Sequence, residues 1–171
     1  MSVQAKRRAD YQPPAFSIAT VDLHITLHPT QTKVISTLSV TRNGAHDSPL
    51  VLDGDNISLD SISINGTHLS DNEYTVTDSA LSVVTELDEF VIEITNTIAP
   101  EHNKALEGLY LSGGAYCTQC EAEGFRRITY FMDRPDVLSV YTVTVVADKS
   151  VPMLLANGNP VDKGEVDENT H

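Results

Sequence analysis

The sequence predicts an all-β fold: an antiparallel saddle or sandwich of two packed sheets with very little helix. Three observations lead there. Apolar residues recur with a period close to two over most of the 171 residues, the spacing of strands with one buried face. Turn signals such as Asn65-Gly66 and Asp78-Ser79 punctuate these runs, as they do in sandwiches made of many short strands. No stretch holds a 3.6-residue period through an average helix length.

The elements follow in order. Val21, Leu23, Ile25 and Leu27 alternate with Asp22, His24, Thr26 and His28, which predicts a half-buried strand that Pro29-Thr30 breaks. Residues 33–42 place Val34, Ser36, Leu38 and Val40 on one face, so the two runs form a long hairpin. Shorter strands are expected at 49–52, 61–64 and 67–69. Between the last two, Asn65-Gly66 supplies the positive φ angles of a type I′ turn. Residues 74–77 and 80–85 flank Asp78-Ser79, and 90–98 form a strand rich in β-branched residues that Pro100 stops. The last long strand is 139–147. Helical signals reduce to two short turns: Asp133 as an N-cap with Pro135 in the first turn, and one turn within 121–127. Residues 158–161 read as a turn entering a further strand, and 165–171 as a polar end without a closing signal. The sequence is therefore expected to be a fragment, truncated before the last strands of its domain.

Composition bounds the function. Apolar residues make up 40% of the chain, enough for a core and against wholesale disorder. Eleven basic residues stand against 24 acidic ones, a net charge of −13. That balance argues against binding a nucleic-acid backbone or an anionic membrane. No apolar run approaches the roughly 18 residues of a membrane-spanning helix. The polar segment 1–10, with Lys6, Arg7 and Arg8, is not followed by the apolar core of a signal peptide, so a cytoplasmic location is expected. In that setting the sequons at Asn56 and Asn65 read as chance matches.

The motifs carry little chemistry by themselves. His24 and His28 have the spacing of a helical metal pair, but on a strand they stand about 13 Å apart, too far for one zinc ion. Cys117 and Cys120 form a Cys-x-x-Cys without a second ligand pair or a βαβ setting. Gly108, Gly113, Gly114 and Gly124 match no phosphate-binding pattern. Alternation fails between Leu106 and Asp136, where Glu107, Gln119, Glu121, Glu123, Arg126, Arg127, Asp133, Arg134 and Asp136 mix with Tyr110, Tyr116, Phe125, Tyr130 and Phe131. Charged groups among aromatics in an irregular stretch suit a ligand site, or a loop stitched by local ion pairs.

That same stretch resembles a known family. Ala105-Leu-Glu-Gly-Leu-Tyr110, Tyr116-Cys-Thr-Gln-Cys-Glu-Ala-Glu-Gly-Phe-Arg126 and Ile128-Thr-Tyr-Phe-Met-Asp-Arg-Pro-Asp-Val137 are similar to the bacterial aminopeptidase N group of gluzincin zinc aminopeptidases. The resemblance runs from Asp10-Tyr11 to Leu154-Leu-Ala-Asn-Gly-Asn159. It implies an N-terminal β-saddle that packs over a thermolysin-like catalytic domain, with 1–14 as an extended arm, 15–171 as the incomplete saddle and the catalytic domain absent. It implies that Glu121 binds the free α-amino group of a peptide substrate and that Gln119 lines the first-residue subsite. Glu123, Arg126 and Arg134 are then scaffolding. His-Glu-x-x-His and Gly-Ala-Met-Glu-Asn are both missing. Zinc is therefore expected in the absent catalytic domain of the whole enzyme, with no metal and no hydrolysis in this chain alone. Two other readings stand beside this one: a non-enzymatic β-sandwich that binds a partner through 106–136, and a metal or redox module on Cys117 and Cys120. Uncovered strand edges also lead us to expect self-association.

Overall fold

The computed structural model describes residues 7–171, so the first six residues of the expected arm lie outside the described residues. β1 (Phe16–Thr26) and β2 (Thr32–Arg42) form the long hairpin. A bulge between Ile18 and Thr20 shifts the alternation by one. Phe16 and Ile18 before it, and Val21 and Leu23 after it, therefore all point inward. β3 (Leu50–Asp53), β4 (Ser58–Ile64), β5 (Thr67–His68), β6 (Tyr74–Val76), β7 (Ala80–Val83) and β8 (Glu89–Ile98) follow. Asn65 and Gly66 take φ of 49° and 79° at the β4–β5 turn, both positive as the hairpin requires.

With β11 (Val140–Val146) as its last strand in sequence, the main sheet has the order β11-β1-β2-β8-β4-β5, and a smaller one the order β3-β7-β6. β11 pairs with β1 in parallel, Thr20 opposite Val140; the other ladders among the described residues are antiparallel. Periodicity is the same for both senses. The difference arises because β11 arrives through a long crossover and not a tight turn.

Phe16, Ile18, Val21, Leu38, Ile92 and Ile94 of the large sheet and Leu50, Leu52, Leu81 and Val83 of the small one join a single apolar cluster. Each such side chain contributes about 1.5–3 kcal/mol on full burial. The sandwich expected from the alternation is therefore present.

Ile128, Thr129, Tyr130, Phe131 and Met132 are buried in succession, and this segment is bonded to both sheets. Phe131 exchanges backbone hydrogen bonds with Asp53 at the end of β3 (2.8 and 3.1 Å). Thr129 Oγ1 donates to Asn96 Oδ1 (2.9 Å), and Asn96 Nδ2 donates to the Ile128 carbonyl (3.0 Å). Thr129 has only one hydroxyl proton, so Ser36 is the donor in the Ser36–Thr129 bond (3.0 Å).

Four expectations need correction. The stretch 106–136 is not irregular throughout, because β9 (Gly108–Ser112) and β10 (Ala115–Gln119) pair as a hairpin. Asp133 caps no helix. Its carboxylate instead accepts from the Arg126 backbone N–H (3.0 Å), and 134–137 make a simple turn closed by Val137 N–H to the Arg134 carbonyl. Gly158 does turn the chain, with φ of 90°, but no strand follows; only the Asp148–Thr170 bridge pairs the tail. Near the N-terminus, Arg8–Asp10 forms a 3₁₀ turn. Tyr11 then donates to Asp136 Oδ2 (2.9 Å), and Arg134 Nη2 donates to the Gln12 carbonyl (2.9 Å).

Candidate functional site

Gly113 and Gly114, with φ of 57° and 84°, close the β9–β10 hairpin. Its ladder ends with Gly108 opposite Gln119, so the hairpin delivers Gln119 and Cys120 to a fixed place beside the start of β9. The chain then reverses. Gly124 N–H donates to the Cys120 carbonyl (2.9 Å), Glu123 sits in the left-handed region at φ 67°, and the Glu121–Ala122 peptide bond is cis. A Cβ on Gly124 would lie 2.5 Å from the Gln119 carbonyl oxygen and 3.1 Å from Gly108 N. Backbone therefore packs on backbone where the turn meets the hairpin.

A 3₁₀ turn, Phe125–Arg127, follows. Phe125 stands edge-on to Phe131 (5.1 Å) and to Tyr141 of β11 (5.9 Å), a favoured aromatic geometry. Burial, with Asp133 and Cys120 adding to it, pushes the Tyr141 phenol up to about 12. Arg126 contacts Asp133 (3.1 Å), Glu123 (3.5 Å) and Asp53 (3.8 Å). Arg127 contacts Asp55 (2.6 Å) and Glu107 (3.3 Å). Arg134 pairs with Asp136 (2.6 Å).

These pairs use up every carboxylate between 106 and 136 except one. Glu121 is exposed, and among the described residues no hydrogen bond or ion pair engages its carboxylate. Gln119, also exposed, turns its amide inward: Nε2 donates to the Glu121 carbonyl (2.9 Å). The two residues singled out from the sequence thus meet on one turn. Asp53 and Asp55, which pair with Arg126 and Arg127, and Ser36 and Asn96, which bond the 128–129 segment, were not singled out. Ser36 and Asn96 carried a signal, being polar residues at inward positions of apolar strands.

The remaining candidates behave differently. Burial, and then the charge of Asp133, push the Cys120 thiol up, which disfavours the thiolate needed for metal or redox chemistry. His28 Nδ1 accepts backbone N–H bonds from Thr30 (3.3 Å) and Gln31 (3.1 Å) in the β1–β2 turn. Among the described residues no three His, Cys, Asp or Glu side chains are grouped to hold a metal ion.

Residues 11–171 match the family model described as the Peptidase M1 N-terminal domain. The chain belongs to this family. This M1 domain is 52% identical over 168 residues to aminopeptidase N of Caulobacter vibrioides, covering 98% of this chain and 20% of that one. It is 44% identical over 172 residues to aminopeptidase N of Escherichia coli, covering 98% and 19%. The crystal structure of Legionella pneumophila aminopeptidase A in complex with aspartic acid matches with a TM-score of 0.89 at 34% identity, over 97% of this chain and 20% of that one. The M1 zinc metallopeptidase of Deinococcus radiodurans bound to a Tyr-Ser-Ala substrate, at 20% identity and a TM-score of 0.66 over 80% of this chain and 33% of that one, shares the fold. The M1 domain spans about one fifth of the length of its aminopeptidase relatives.

Proposed function

We propose that this M1 domain is the substrate-anchoring part of a zinc aminopeptidase and that Glu121 binds the free α-amino group of the peptide. The observation that carries the reading is the Glu121 carboxylate, unpaired among the described residues, in a cluster whose other acids are all matched to arginine. An exopeptidase must count one residue from the N-terminus. A carboxylate held at a fixed point and paired with an ammonium sets that count. Gln119 sits beside it in the first-residue subsite. Its amide hydrogens hold the Glu121 carbonyl, which leaves its oxygen to accept from substrate.

In this reading, zinc and the hydrolytic groups belong to the catalytic domain elsewhere in the parent chain. When bound there, zinc polarises the scissile carbonyl and activates water. No step of that chemistry falls to the residues described. The domain alone is inactive, and zinc-dependent release of p-nitroaniline from an alanyl anilide by the purified domain would overturn that. The catalytic domain packs against apolar surface left open here, where Leu138 (86% exposed), Val140 (71%) and Tyr141 (45%) stand in and before β11.

The direct test is Glu121→Gln in the parent aminopeptidase. A charge-assisted hydrogen bond is worth about 1.5–3 kcal/mol. Turnover of alanyl p-nitroanilide should therefore fall about 10- to 100-fold in kcat/KM, with zinc content and circular dichroism unchanged. Wild-type kinetics would refute the role.

A further inference from the structure

We propose that Arg126 is a positioning residue for Glu121, acting through the 120–124 turn. The inference rests on the anchoring role above and concerns how that carboxylate is held. Arg126 lies at the junction of three segments that meet nowhere else in the site. Its guanidinium reaches back to Glu123 Oε2 (3.5 Å), two residues from Glu121, at the residue held in left-handed backbone. It reaches forward to Asp133, with Nε to Oδ2 at 3.1 Å and Nη2 to the backbone carbonyl at 2.9 Å. It reaches across to Asp53 Oδ1 (3.8 Å) at the end of β3. The backbone repeats the same links. Arg126 N–H donates to Asp133 Oδ2 (3.0 Å), its carbonyl accepts from Asp55 N–H (3.0 Å), and Asp133 N–H donates to Asp53 Oδ2 (3.1 Å).

One planar, five-donor group thus ties the turn that presents Glu121 to Asp133 and to the end of β3. A lysine could satisfy one of these acceptors but not the fork they form together. Arg126 does not touch Glu121, so its removal leaves the anchoring carboxylate in place on a looser support. A ligand that needs the carboxylate at one point then meets it there less often. The Arg127 guanidinium binds Asp55 and Glu107 and ties the 3₁₀ turn to the start of β9; Arg127 meets the 120–124 turn through its backbone N–H, which donates to the Gly124 carbonyl (3.1 Å).

A double-mutant cycle in the parent aminopeptidase separates positioning from general stability. In the wild-type background, Arg126→Gln should lower kcat/KM for alanyl p-nitroanilide about tenfold, mostly through KM. In the E121Q background, the same substitution should lower it less than twofold. Arg126→Lys should recover little, and Asp133→Asn should reproduce the background-dependent loss even if Arg126→Gln folds poorly. A second readout uses paired inhibitors. Arg126→Gln should weaken alanine hydroxamate, which carries the ammonium, and leave propionohydroxamate unchanged. Equal losses in both backgrounds, equal weakening of both hydroxamates, or no loss at all would overturn the proposal. A silent E121Q variant would instead overturn the anchoring role beneath it, so the two failures are distinguishable.

Discussion

Asn96 and Ser36 sit where strand alternation calls for Val or Ile, and both are fully buried. Among the described residues their side-chain polar groups find partners only in Thr129 and Ile128, so burial of the two strands and placement of the site segment depend on each other. Asn96→Ala removes the acceptor for Thr129 and the donor for the Ile128 carbonyl. A buried group left unpaired costs about 1–3 kcal/mol, so the urea midpoint should drop with little change in slope. At the surface, Asp136 accepts from Arg134 and Tyr11, which holds its carboxyl down at about 2. A lowered carboxyl stabilises the fold at neutral pH and loses that contribution as pH falls from about 4 toward 2. Asp136→Asn should therefore shrink the acid-side loss of stability within that window, measured by thermal melts at stepped pH. A parallel curve displaced at all pH values would contradict this.

The β1–β2 hairpin and β8 were legible in the sequence because each pairs a period of two with one buried face, and the Asn-Gly turn because those residues favour positive φ. The β9–β10 hairpin was not, although Gly113-Gly114 marked its turn. Beyond Gly108 and Leu109 its residues are only half-buried or exposed, so no apolar alternation was imposed on them. Glu121 and Gln119 stood out only through their resemblance to a known family, since an exposed carboxylate leaves no periodic trace. Asp53 and Asp55 escaped notice because their partners lie in a distant stretch of sequence and only the tertiary fold joins them. The glycines at this junction are the test of its tightness. Gly124→Ala would push a methyl to 2.5 Å from the Gln119 carbonyl, and because both sides are backbone neither can rotate away. We expect a destabilisation of about 1–3 kcal/mol, read by denaturant titration. Under the proposed anchoring role it should also raise KM in the parent aminopeptidase, because the displaced carbonyl lies two residues before Glu121. Wild-type stability would show that the turn yields freely.

As a whole molecule, the M1 domain is well closed at its center and open along one side. β11 is one of the two edge strands of the large sheet, with Val140, Tyr141 and Val143 all more than a third exposed. An uncovered apolar edge recruits another strand. The isolated domain should thus show a mass above monomer by light scattering as its concentration rises, and Val140→Lys should suppress this. A monomer mass independent of concentration would argue against it. The parallel ladder also dictates a schedule during synthesis. β1 is made well before its outer neighbour, which follows only after the whole site, from Gly108 to Asp136, has been translated. Until Val140 to Val146 leave the ribosome, β1 stands as a bare sheet margin. Phe125 and Phe131 lack the Tyr141 ring over the same interval, so the segment that follows the Glu121 turn and the last strand of the sheet become native together.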